Sequence, residues 1–128
     1  ISVELDNAEW QVYLEKLGSL DYQIGRNSWA GDYNDAYNFL ALYRDADSST
    51  NETGWENAEY VKLLDSSQTE TNAEKRKEIL KSAETILMDE LPIAPVYFYT
   101  NTWVQKDNLK DVVISGLGEA QLKWAYFE

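Results

Sequence analysis

The run Arg26-Asn27-Ser28-Trp29-Ala30-Gly31-Asp32-Tyr33-Asn34-Asp35 places a guanidinium, an indole and two carboxylates within ten residues. Ser28, Ala30 and Gly31 separate the large side chains, so a ligand could come close to the backbone there. A carboxylate gives an ammonium group a charge-assisted hydrogen bond, roughly twice as strong as a neutral one. Both charges must lose water, so such a pair is useful where a ligand closes the site. Cation, ring and anion together suit a small zwitterion. Each residue also has a plainer reading. Asp32 could cap the helix near Ala36 or organise a turn, Trp29 could be core, and Arg26 could pair with one of the 23 acidic residues.

Two further constellations invite chemistry. Asp32 and Asp35 beside Trp and Tyr could be cast as the acid and base of a glycosidase, but no second motif accompanies them. Asp45-x-Asp47-x-Ser49-x-Asn51 with Glu56 at the twelfth place imitates a calcium loop. Its sixth place is Thr50 instead of glycine and its eighth is Glu52, so no metal is expected. The chain has neither Cys nor His. Disulfides, thiolate nucleophiles, Ser-His-Asp triads and the usual zinc sites are therefore excluded, leaving carboxylate, Lys or Tyr for acid–base work. No cofactor motif is present.

These residues must be held by a core, and 128 residues suffice for one. With 44% hydrophobic residues, five Trp and nine Tyr, the sequence is that of a folded chain despite a net charge of −12. The acidic balance argues against nucleic acid and against direct adhesion to anionic lipid. No apolar run approaches the ~20 residues of a membrane span. The start lacks Met and a leader-like segment, so the sequence reads as part of a longer protein with its targeting signal upstream.

Ile1–Leu5 alternates as a strand, and Asp6 with Glu9 suggests a capping box for a helix bearing Trp10, Tyr13, Leu14 and Leu17, stopped at Gly18. Tyr22 to about Ser28 reads as a second strand, which would make a βαβ unit with a parallel pair. A short helix is expected over 36–43, a loop over 45–54, and a helix capped by Asn57 with Tyr60, Val61 and Leu64 inward. Thr71-x-x-Glu74 opens the longest helix, with Ile79, Leu80, Ala83, Ile86 and Leu87 inward, ending at Leu91-Pro92. Its charged first turn, Glu74 to Glu78, reads as solvated. Residues 96–104 form an aromatic and β-branched strand with side chains on alternate faces, and 122–127 a final weak one. Trp10, Trp55, Trp103 and Trp124 read as structural.

In this order and spacing the sequence resembles the extracytoplasmic oligopeptide-binding proteins of ABC importers. Trp29-Ala30-Gly31-Asp32-Tyr33-Asn34-Asp35 with Phe39-Leu40 is similar to that family's W-x-x-D-Y-x-[DE]-x-x-x-[FY]-L block. Asn51 to Tyr60 is similar to its N-x-[TS]-G-[WY]-x-[NS]-x-[EA]-[YF] segment. Arg76, Ile79, Ala83-Glu84 and Ile86 fit its R-x-x-[LI]-x-x-x-A-[EQ]-x-[IL] helix, and Pro92 to Tyr99 its P-[IV]-x-P-[LIV]-[YF]-x-Y strand. Ala36 departs from the proline common at its place.

The resemblance implies an α/β chain, a mixed sheet flanked by helices, forming a fragment of a two-lobed type II binding-protein fold. Residues 1–128 would be a single lobe from the C-terminal part. It implies a non-catalytic receptor that binds a short peptide at the lobe interface and delivers it to an ABC transporter permease. The place would be extracytoplasmic, periplasmic or on the cell surface as a lipoprotein. By the same resemblance Asp32 meets the ligand's α-ammonium, Trp29 lines the site, Ala30 offers backbone, Arg26 can meet a C-terminal carboxylate, and Tyr99 lines a pocket. A dipeptide, nickel complex, haem, pheromone or oligosaccharide ligand remains a family alternative. Half of such a clam should bind far more weakly than the whole.

Overall fold

The computed structural model describes residues 2–128. Four helices come first: α1 (Trp10–Gly18), α2 (Ala36–Leu40), α3 (Ala58–Thr69) and α4 (Ala73–Glu90), with a 3-10 turn at Ala41–Tyr43. Four two-residue strands follow: β1 (Leu109–Lys110), β2 (Val113–Ile114), β3 (Ala120–Gln121) and β4 (Tyr126–Phe127). β1 pairs with β4 and β2 with β3, both antiparallel.

The core is made by helices. Leu40, Tyr60, Leu64, Leu80, Ala83 and Leu87 form one buried cluster, with Tyr37, Trp55, Ile86 and Ile93 packed around it. The i, i+3, i+7 spacing of Leu80, Ala83 and Leu87 on α4 and the i, i+4 spacing of Tyr60 and Leu64 on α3 bring these side chains to facing stripes. Glu70–Asn72 alone join α3 to α4, so the two helices fold back as a hairpin. Its open end is tied by Glu90, which accepts from the Trp55 indole and the Asn57 amide, both at 2.7 Å.

Several boundaries differ from the sequence expectation. Asn57 does cap α3, accepting from the N–H groups of Glu59 (2.9 Å) and Tyr60 (3.0 Å). On α4 the cap is Asn72 and not Thr71, since the Asn72 amide oxygen reaches Lys75 N–H at 3.0 Å. For α1 the cap is Glu9, bonding Gln11 N–H at 2.9 Å, while Asp6 pairs with Lys16 at 2.5 Å. The chain leaves α1 through Leu20 at φ +57°, two residues beyond the expected glycine.

The expected parallel pair does not form. Residues 2–5 and 22–28 carry no ladder, and Ile1 lies outside the described residues. Residues 96–104 likewise join no ladder, and of residues 122–127 only Tyr126–Phe127 does. A ladder needs a neighbour for every N–H and C=O, and among the described residues no strand pairs with these segments. Both faces of 96–99 are open: Val96 and Phe98 are 86% and 98% exposed, Tyr97 and Tyr99 65% and 77%. β-propensity without a partner makes no strand.

Candidate functional site

Within the segment Arg26–Asp35, Trp29 and Asp32 are organised by Asn38, which the sequence motifs do not include. Asn38 lies inside α2 and is 6% exposed. Its amide oxygen accepts from the Trp29 indole N–H and from the Asp32 backbone N–H, both at 3.1 Å. Its amide nitrogen donates to Asp32 Oδ2 at 3.2 Å. One side chain therefore fixes the ring, the turn and the carboxylate. The clue in the sequence is a polar residue inside the apolar run Tyr37-Asn38-Phe39-Leu40, where a buried amide must find partners.

Gly31 lets the turn close. A Cβ there would stand 3.1 Å from Phe39 Cζ and 3.3 Å from its Cε2. Asp32 itself is exposed and caps nothing: Asp35 is the cap of α2, its Oδ1 accepting from Tyr37 N–H at 2.8 Å. Trp29 is 43% exposed, which decides against a core role and leaves an indole face open to solvent.

Asp35 has a second partner. Arg76 donates to both its oxygens, Nη1 to Oδ2 at 2.8 Å and Nη2 to Oδ1 at 3.0 Å. Arg76 Nε also donates to the Ser67 carbonyl at the end of α3, at 3.0 Å. Thus one guanidinium joins the starts of α2 and α4 to the end of α3, correcting the reading of Arg76 as one of a solvated charged turn. Both side chains are about 30% exposed, between the regimes of weak surface pairs and costly buried ones.

The Arg76 guanidinium holds the Asp35 carboxyl below the ordinary carboxylate range; partial desolvation opposes it and the Tyr37 N–H adds to it. A carboxylate with a depressed folded pKa contributes stability that is full above its unfolded value of about 4 and is lost as pH falls through the folded value. Arg76→Ala should cost about 1–2 kcal/mol at neutral pH. That cost should shrink towards acid, the window lying below pH ~4. Urea denaturation across pH 3–7 checks this; a cost constant with pH would refute the linkage.

The remaining candidates stand apart from the Asn38 cluster. The Arg26 side chain is exposed and has no ion pair among the described residues, while its carbonyl accepts from Tyr13 OH. Ala30 is exposed, and the N–H and C=O groups of Trp29, Ala30 and Gly31 have no hydrogen-bond partner among the described residues. Tyr99 is exposed and lies against Tyr97, ring centroids 6.1 Å apart; no hydrogen bond or ring contact joins it to Asp32 or Trp29 among the described residues. Trp55 is structural as expected, edge-on to Tyr60 at 5.0 Å. Trp10, Trp103 and Trp124 are about half exposed or more.

The loop that imitates a calcium site is held by its own residues. Asn51, 5% exposed, donates to the carbonyls of Asp45 (3.1 Å) and Trp55 (2.9 Å) and accepts from Thr53 Oγ1 at 2.7 Å. Arg44 takes Asp45 at 2.6 Å and Asp65 at 2.9 Å. Among the described residues no group of three or more acidic side chains could hold a metal ion, and no helix is long and apolar enough to cross a membrane.

This small α/β body, with its exposed carboxylate and its indole locked to one buried amide, is homologous to a segment of proteins named for peptide binding. The chain is homologous over its whole length to the oligopeptide-binding protein of Bacillus subtilis strain 168, with 59% identity across 128 residues, which make up 24% of that protein. Among solved structures, it is similar to a periplasmic murein tripeptide-binding protein in an unliganded open form. That match has a TM-score of 0.76 and 37% identity, over 86% of this chain and 21% of the other. The peptide-binding pheromone receptor PrgZ matches with a TM-score of 0.73 and 26% identity, over 96% of this chain and 23% of the other. The chain thus spans about a quarter of the relatives it matches. No family model matches it.

Proposed function

We propose that this chain forms one wall of a peptide-binding cleft, with Asp32 receiving the α-ammonium group of a short peptide. The observation that carries this is the Asn38 arrangement. It fixes Asp32 Oδ2 and leaves Oδ1 without a partner among the described residues, on an exposed turn beside a half-open indole. Trp29 supplies a stacking wall that tolerates many side chains. The unpaired backbone of 29–31 suits main-chain pairing with an extended ligand, which makes affinity independent of side-chain identity. In this reading Arg26, uncommitted to any carboxylate among the described residues, serves a ligand's other end, and Tyr99 lines another part of the cleft.

The parent protein works outside the cytoplasmic membrane, held by an anchor elsewhere in its chain, and hands its ligand to an ABC permease. Residues 1–128 pack as part of one of its two lobes. The uncovered apolar faces of 96–99 support this, since soluble proteins rarely leave such surface open. The same reading makes it a receptor: Asp35, which a glycosidase would need as a free partner for Asp32, is spent on Arg76 and the α2 cap, which speaks against that pairing.

The test is on the ligand. In the full-length protein, N-acetylating a peptide that binds should weaken it by at least tenfold, since the loss of an ion-paired hydrogen bond costs about 1.5–3 kcal/mol. Calorimetry with the free and capped peptide measures this. Equal affinity for both would remove Asp32 from its assigned role.

A further inference from the structure

We infer that Asn38 is a positioning residue of the ligand site: it sets both the carboxylate that meets the ammonium and the indole beside it. The inference rests on the peptide-binding reading above and adds a residue to it. Three of the four hydrogen-bonding positions of the Asn38 amide are engaged within the site: two bonds to its oxygen and one from its nitrogen. Asn51 and Asn57 bond groups that the fold itself uses: carbonyls of their loop, the N–H groups of the α3 cap, and Glu90, which also holds Trp55. Asn38 differs in its carboxylate partner, because Asp32 bonds no other side chain among the described residues.

The chemistry of each contact has a consequence. The Nδ2 donor holds Asp32 Oδ2 at 3.2 Å, so the carboxylate keeps one rotamer and directs its free oxygen outward. The Oδ1 acceptor binds the Asp32 N–H and the Trp29 Nε1–H together, so ring and carboxylate cannot move independently. A site prepared in this way loses little side-chain freedom on binding. The neighbouring charged pair does not compete, because both Asp35 oxygens are taken by Arg76 and one also by the Tyr37 N–H. Asn38 is therefore coupled to Asp32 alone among the carboxylates.

The experiment uses the full-length protein and the alanine peptide, two to five residues long, that binds it tightest. Asn38→Ala should weaken that peptide by about tenfold, the scale set by freeing one or two ordered side chains. Asp32→Ala is measured alongside. If Asp32→Ala weakens binding and Asn38→Ala stays within twofold of the native protein, the positioning role is refuted while the peptide reading stands. If Asp32→Ala binds as the native protein does, the peptide reading itself is lost.

Because Asn38 is buried, a second variant guards against misfolding. Asn38→Asp is nearly isosteric and keeps the oxygen that accepts from Trp29 and Asp32 N–H, but sets a second carboxylate against Asp32. Two carboxylates so close share a proton above the ordinary carboxylate range, and an arriving ammonium should displace it. Calorimetry at pH 5 in two buffers of different ionisation enthalpy should show more protons released on binding than in the native protein. A purely structural Asn38 would leave that count unchanged, and an unchanged count overturns the inference.

Discussion

Replacing Tyr60 by alanine is expected to reduce the hydrogen-exchange protection of the α3 and α4 amides by about a thousandfold, equivalent to about 4 kcal/mol. Tyr60 is fully buried, lies edge-on to Trp55, and belongs to the cluster in which α2, α3 and α4 meet. Removing a core aromatic ring costs about 3–5 kcal/mol through lost transfer energy and the cavity left behind. Its hydroxyl adds a separate contribution by donating to the Leu40 carbonyl at 2.7 Å, the last residue of α2. Burial pushes the Tyr60 phenol far above its ordinary value, so the proton stays in place at any working pH. Tyr60→Phe keeps the ring and removes the hydroxyl donor to that carbonyl, for an expected loss of about 1–2 kcal/mol. The two variants thus separate packing from the bond that seats α2. If alanine cost no more than phenylalanine, the ring would not be the keystone of this core.

The helical core was legible because a 3.6-residue period survives any context in which one face is buried. Tyr60, Leu64, Leu80, Ala83 and Leu87 lie where the spacing puts them, and all are buried. Caps were legible in kind but displaced in place, since Thr71 and Asn72 offer nearly equivalent oxygens and only backbone geometry chooses Asn72. Strands were less legible. Residues 22–28 and 96–104 have the composition of strands, but pairing depends on a partner, which composition does not carry. The family blocks located the α/β class and the relatives at once, because a motif records a tertiary environment that periodicity does not.

The candidate site was half legible for a related reason. Trp29 and Asp32 announce themselves by type, as an aromatic and an acid separated by small residues. Asn38 and Arg76 do not, because their roles are long-range: Asn38 bonds six residues back, and Arg76 crosses 41 positions to Asp35. A charged side chain in a helix's first turn is usually solvated, and only the packing of α2 beside α4 turns Arg76 inward. Pairing Asp35 with Arg76 also frees Asp32 from any capping duty. The distinction between the two aspartates, one committed to the fold and one left free for the proposed ligand, lies in tertiary contacts alone.

For that ligand, Asp32→Ala in the full-length protein is expected to lower the affinity for free-amine peptides by roughly 30- to 1,000-fold, or about 2–4 kcal/mol, as for one partner of a desolvated charge pair. Most of this is the cost of leaving the ammonium enclosed without its counter-charge, so the change should lie mainly in the dissociation rate. Asp32→Asn should lose nearly as much, because it keeps shape and hydrogen bonding but not charge. The decisive comparison is with the N-acetylated peptide. If Asp32 and the α-ammonium are partners, deleting either already removes the interaction, and deleting both adds little. The capped peptide should therefore bind the native protein and Asp32→Ala with affinities within about threefold of each other. Additive losses would mean that the two groups act independently, and the ammonium would then need another acceptor on the opposite wall of the cleft.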